Sequence, residues 1–177
     1  MDSTRQRIVD AAVALHGSVG PASTTFSAVA ERAGVTRATL YRHFPTEADL
    51  FGACTRDWLG AHPSPDADAW LGIPDPERRV RFALRELYAW FAETEPMTSN
   101  VLHDLDALPE VNRTRIAARS RSWQEALAAG WAEGEAELDA ALGLALAFET
   151  WRTLARAERT VEEAADLMTR MVLAART

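Results

Sequence analysis

Between Thr25 and Phe44 two short apolar patterns are separated by Gly34-Val35-Thr36, and this spacing constrains the fold more than any other feature of the chain. Phe26, Val29, Ala30 and Ala33 recur at helical spacing, the set that makes one buried helix face. Gly34 stands where a left-handed residue ends a helix without strain. Thr36 follows as an N-cap, its hydroxyl set to accept from a free amide of a second helix, Arg37–Phe44. Pro45 stops that helix, because the residue before proline is pushed out of the α region. Two short helices about a glycine-containing turn form a helix-turn-helix, whose second helix lies in the major groove of DNA.

At roughly 100° per residue, Leu40 and Phe44 fall on one side of the second helix, toward Val29 and Ala33. Ala38, Thr39 and Arg42 fall on the other side, with Tyr41 and His43 on the flanks and Arg37 in the first turn. Arginine can reach guanine and methyl groups can touch thymine, while tyrosine and histidine suit phosphate oxygens. Read from the residues alone, the same face also fits an ordinary solvated helix of an all-α protein.

Thr24-Thr25-Phe26, Ala30–Val35 (AERAGV) and Thr36–Phe44 (TRATLYRHF), followed by Leu50-Phe51, resemble the DNA-binding domain of TetR-type repressors. The resemblance covers about the first third of the chain. It implies an all-helical homodimer that represses transcription and releases its operator when a small ligand binds. Position by position, it implies that Tyr41 and His43 touch phosphate and that Arg37, Ala38, Thr39 and Arg42 face bases. Thr36 opens that helix, and Thr25 matches a threonine that contacts the DNA backbone. Where many members carry a lysine at the start of the next helix this chain has Glu47, so that contact is expected to be missing or taken over by Thr46.

The net charge of −7 is unusual for a DNA-binding chain until it is divided. Residues 1–60 hold six arginines and six acids, whereas residues 61–177 hold thirteen arginines and twenty acids. The acidity thus belongs to the second part, and a neutral first part implies modest non-specific affinity. At 177 residues and 47% hydrophobic, the chain can bury a sizeable core. No apolar run is long enough to span a membrane, and MDSTRQRIVD lacks the apolar core of a signal peptide, so a cytoplasmic protein is expected. A single cysteine, Cys54, excludes an internal disulfide and a cysteine-based zinc site.

Further helices are expected at 3–17, at 46–60 with Thr46 as cap, and from Asp75-Pro76, ended by Pro96. Near the start of the first, Arg5 and Arg7 are either phosphate contacts, by the resemblance, or solvated charges. His62–Pro76, with four prolines, reads as a boundary loop whose Trp70, Leu71 and Ile73 fold back onto the body. A short helix follows at 97–106, then helices at 109–131, 135–158 and 160–176. Arg113, Arg115, Arg119 and Arg121 read as a solvated face. The architecture expected is all-α: an N-terminal three-helix helix-turn-helix domain (1–60) and a C-terminal helical ligand-binding and dimerisation domain (61–177), about nine helices in all. Ala140, Ala141, Gly143, Ala145 and Ala147 permit close approach, so the last two helices are expected to form a four-helix bundle with those of a second copy.

A ligand site is less sharply defined. Trp90, Met97, Trp123, Phe148 and Trp151 can line an apolar pocket, although an aromatic stripe at helical spacing is more often core. Glu149, beside Phe148 and Trp151, reads as a buried carboxylate that pairs with Arg152 or Arg156, or else recognises a ligand. Asn100 and His103 are further polar candidates. The four histidines are scattered, Cys54 has no adjacent base in sequence, and there is no glycine-rich phosphate loop. An enzyme, a metal site and a cofactor are therefore not expected. Two functions remain: a ligand-responsive repressor on a pseudo-palindromic operator, or a helix-turn-helix dimer with no small-molecule ligand.

Overall fold

The computed structural model describes residues 3–131 and 136–175, and its regular structure there is entirely helical. The elements are α1 (Ser3–Val19), α2 (Phe26–Ala33), α3 (Arg37–His43), α4 (Glu47–Ala61), α5 (Ala67–Leu71), α6 (Pro76–His103), α7 (Glu110–Ala128), α8 (Ala136–Leu146), α9 (Phe148–Arg156) and α10 (Val161–Ala174), with a 3-10 turn at Leu105–Ala107. The all-α fold with an N-terminal helix-turn-helix is the one expected. The expected helix ends at 135 and 176 fall outside the described residues.

Three expectations are corrected. Pro96 lies inside α6 instead of ending it, so the separate helix at 97–106 does not form. Proline removes the bond to the carbonyl four residues back, but Pro96 and Ala92 are both exposed, and water can take that carbonyl. The expected helix at 135–158 is two helices, parted at Ala147, which is extended (φ −72°, ψ 132°). The buried Tyr88 hydroxyl donates to Ala145 O (2.8 Å), satisfying a carbonyl in the last turn of α8. The boundary loop holds the five-residue α5, in which Trp70 is fully buried while Leu71 is 46% exposed.

The chain forms two compact units, neither continuous in sequence: Met1–Pro63 with Thr94–Ile116, and Ser64–Glu93 with Ala117–Thr177. In the first, Ile8, Val9 and Ala12 of α1 pack with Val29 and Ala33 of α2, Leu40 and Phe44, and Leu50 and Cys54 of α4. The end of α6 fastens the turn after α1. Asn100 Nδ2 donates to His16 O (3.0 Å), and Ala22 N donates to Asp104 Oδ2 (2.9 Å). Gly20 adopts φ +87°, and a β-carbon there would meet Asp104 Oδ2 at 2.5 Å, so both backbone and space require glycine.

His16 is buried beside Phe51, ring centroids 5.1 Å apart, and burial lowers its pKa from 6.5 to about 4. The unfolded chain therefore binds this proton more readily than the folded one. Stability is complete above the unfolded pKa and falls as pH drops from about 6.5 toward 4, by up to roughly 3 kcal/mol. Urea unfolding across that range should show a shallower loss for His16→Leu than for the parent chain.

In the second unit, Val80, Leu84, Leu87 and Phe91 of α6 form the expected inner stripe. Trp123 and Leu127 of α7, Leu138 and Leu142 of α8, Phe148 and Trp151 of α9 and Met168 and Val172 of α10 complete the core. Arg79, 5% exposed, is bonded on both sides of its guanidinium. Nε and Nη2 donate to Ile73 O (3.0 and 2.8 Å), and Nη1 to Ala126 O and Ala129 O (3.0 and 2.6 Å). It thereby caps free carbonyls at the end of α7.

Candidate nucleic-acid interface

The turn between α2 and α3 is built from the groups its sequence supplies. Gly34 takes a left-handed conformation (φ 66°, ψ 38°). Its N–H donates to Glu31 O (3.1 Å), and that of Val35 to Ala30 O (3.0 Å), which closes α2. Thr36 then caps α3, its Oγ1 accepting from Thr39 N at 3.1 Å. The Thr36 and Thr39 hydroxyls are also bonded to each other (3.0 Å).

Leu40, with no exposed surface, anchors α3, and Arg37, Ala38 and Arg42 stand exposed while Thr39 and His43 are half-buried. Tyr41 is 44% exposed; its ring lies 5.1 Å from that of Phe26 and 5.9 Å from Arg37 Cζ. This contact fixes the ring and leaves part of it in solvent. Thr25 caps α2 by accepting from Ala28 N (3.1 Å), and Thr46 forms a capping box with Asp49 at the start of α4. Three of the threonines named from sequence thus stand at helix N-termini, where unpaired amides and the helix dipole favour anions. A cleft of about 570 Å³ beside them is lined by Thr24, Thr25, Phe26, Arg37 and Tyr41, and also by Glu47. Arg5 lies over the Phe44 ring (4.7 Å), a packing role not foreseen from sequence.

The ligand candidates divide between the two units. In the second, Phe91 joins them into a chain of rings: Trp90 at 5.7 Å, Phe148 at 5.2 Å and Trp151 at 5.8 Å, with Trp123 6.2 Å from Trp90. In the first, Asn100 is bonded to His16 O, Met97 is half-buried and His103 is exposed. The buried-carboxylate reading of Glu149 is corrected: its side chain is 66% exposed and bound by Arg152 Nε (3.0 Å) and Nη2 (2.6 Å). A three-residue separation on one helix suffices for that pair. The solvated face of α7 needs correction at Arg119, which lies over the Trp90 and Trp123 rings. Its position four residues before Trp123 was the available signal. Burial pushes the Cys54 thiol up to about 12, which leaves it a poor nucleophile. Among the described residues no helix is long and apolar enough to cross a membrane, and no group of three His, Cys, Asp or Glu could hold a metal.

A short, exposed, arginine-bearing helix held across a glycine turn from a buried partner defines a helix-turn-helix module of the kind that enters DNA grooves. Residues 8–54 match the family model described as bacterial regulatory proteins, tetR family. The HTH-type transcriptional regulator AcrR of Shigella flexneri is 46% identical over 48 residues, 27% of this chain and 22% of that protein. The HTH-type transcriptional repressor KstR of Mycobacterium tuberculosis is 33% identical over 115 residues, 62% of this chain and 52% of that one. The match thus spans about half of one curated relative and about a fifth of the other. Among solved structures, a TetR-like transcriptional regulator from Rhodococcus sp. RHA1 shares the fold, with a TM-score of 0.69 at 20% identity over 98% of this chain and 95% of that one. Residues 8–54 thus carry a DNA-binding domain of the tetR type, and the chain as a whole shares the fold of TetR-like regulators.

Proposed function

We propose that the chain is a transcriptional repressor that acts in the cytoplasm and binds a pseudo-palindromic operator as a homodimer, each copy inserting the 37–44 helix into a major groove. The observation that carries this reading is the exposed Arg37, Ala38 and Arg42 face of α3 opposite the fully buried Leu40. In this reading Arg37, Ala38, Thr39 and Arg42 read bases. Thr25, Thr36, Tyr41, His43 and Thr46 hold phosphates.

Dimerisation through α8 and α10 is supported by an apolar face left open there. Ala140, Gly143 and Leu144 of α8 and Met171 and Ala174 of α10 are exposed, Leu144 to 53% and Met171 to 48%. A β-carbon at Gly143 would meet nothing within 4 Å. A two-fold dimer places its recognition helices about one turn of DNA apart, hence the inverted-repeat operator. Selection from random DNA should enrich an inverted repeat, and sedimentation should give a dimer at micromolar concentration. A monomer, or no enriched sequence, would sink the proposal.

Release of the operator by a small ligand follows the family pattern, in which a ligand shifts the balance between operator-compatible and operator-incompatible dimers. The second reading, a DNA-binding dimer with no ligand, takes the packed rings of Trp90, Phe91, Phe148 and Trp151 as core alone. Operator-bound protein challenged with a metabolite extract separates them: release supports the first, and unchanged occupancy the second.

A further inference from the structure

Among the described residues of the second unit, Arg119 holds a buried nitrogen that no hydrogen bond uses. Its Cζ lies 5.4 Å from the Trp90 ring and 5.3 Å from the Trp123 ring, and its Nε is buried with no hydrogen-bond partner. The contrast with Arg79 is direct. Arg79 is the more deeply placed of the two, and it gives its N–H groups to three backbone carbonyls, whereas Arg119 is half-buried. The ion pairs Arg85–Asp166, Arg152–Glu149 and Arg159–Glu163 involve groups at the surface, and no carboxylate among the described residues reaches Arg119. An N–H of a cation taken out of water needs a partner. Indole faces compensate part of its charge but offer no lone pair to an in-plane N–H.

We propose that Arg119 is the anion-recognising group of an effector site in the second unit, and that the effector is an organic carboxylate with an apolar body. The guanidinium carries parallel N–H groups at the spacing of the two carboxylate oxygens, a fit that lysine lacks. The flanking Trp90 and Trp123 rings, themselves 7% and 4% exposed, are the apolar groups the rest of such a molecule would meet on entering. That body is also required by charge. The 61–177 segment carries thirteen arginines against twenty acids, so a bare anion is repelled in bulk and gains only at this point. Burial pushes the Arg119 pKa down, the direction of a cation short of counter-charge.

The inference rests on the ligand-responsive reading, and its test is kept separate by using the full chain without DNA. Tryptophan fluorescence and thermal unfolding are followed with octanoate and benzoate, with octanol and benzyl alcohol as neutral counterparts, and with inorganic phosphate. The carboxylates should raise Tm by a few degrees near saturation and change the fluorescence, while the neutral compounds and phosphate do neither. Arg119→Met should match or exceed the parent in Tm without ligand, because it removes an unpaired charge, and should lose the carboxylate response. Arg119→Lys should fold and bind at least about tenfold more weakly, having the charge without the fork. The proposal is overturned if neither carboxylate acts on the parent chain, if Arg119→Met responds equally, or if phosphate or the neutral compounds act as strongly. Operator binding measured separately leaves a failure of this site distinct from a failure of the DNA-binding reading.

Discussion

Arg42→Ala is expected to weaken binding to the selected operator by about 1–3 kcal/mol per half-site, and by about twice that for a dimer on both half-sites. Arg42 stands exposed in the last turn of α3, and no carboxylate among the described residues is paired with it. Removing it should leave the fold intact, because α3 is anchored by Leu40 from the opposite face. Mobility-shift titrations on selected and random DNA distinguish its role. A base contact weakens the selected site while random DNA is held nearly as before. An equal loss on both, with a salt slope smaller by about one, would make Arg42 a phosphate contact instead. The effect should be larger than in a strongly basic domain, since residues 1–60 carry no net charge to sustain binding once a placed arginine is gone.

Trp70→Ala is expected to cost about 3–5 kcal/mol of stability, enough to approach the whole margin of many domains. Trp70 comes from a helix of only five residues, yet has no exposed surface and lies 6.2 Å from the Trp123 ring. Its Nε1 donates to Glu86 Oε2 (2.6 Å). Alanine removes the indole and leaves a cavity that neighbours fill only in part. Trp70→Phe helps separate the terms: it keeps one ring of apolar volume, leaves a smaller cavity than alanine and drops the hydrogen bond. Because Glu86 is exposed and can turn to water, phenylalanine should cost far less than alanine in chemical denaturation.

Local signals carried most of the first unit. Gly34, Thr36 and Pro45 act on their own neighbours, so the helix boundaries around the recognition segment could be read directly. The second unit depends on partners far apart in sequence. The break at Ala147 is accompanied by a hydrogen bond from Tyr88 to Ala145, 57 positions away, and no local pattern announces it. Pro96 carried a breaker signal that lost, because its cost falls on a solvent-facing turn of a helix long enough to bear it. Arginines on α7 looked alike in sequence, and only the fold separates Arg119 from its neighbours. Glu149 shows the reverse case: an acid among aromatic residues looked buried, but on α9 it points away from them and is held by Arg152.

The bonds from Asn100 to His16 and from Ala22 to Asp104 span 84 and 82 positions, and they bear on the order in which the molecule can be made. During synthesis residues 1–63 emerge as a nearly complete helical cluster, but the unit also needs residues 94–116. At about 5–20 residues per second, the ribosome takes several seconds to supply them. Until then the turn at Gly20–Ala22 lacks its clamp from Asp104. Helices α1 to α4 meet one another through short sequence separations and can assemble quickly, whereas this last closure waits on loop entropy and on translation. The segment that carries the recognition helix is among the first parts of the chain to form and among the later ones to lock.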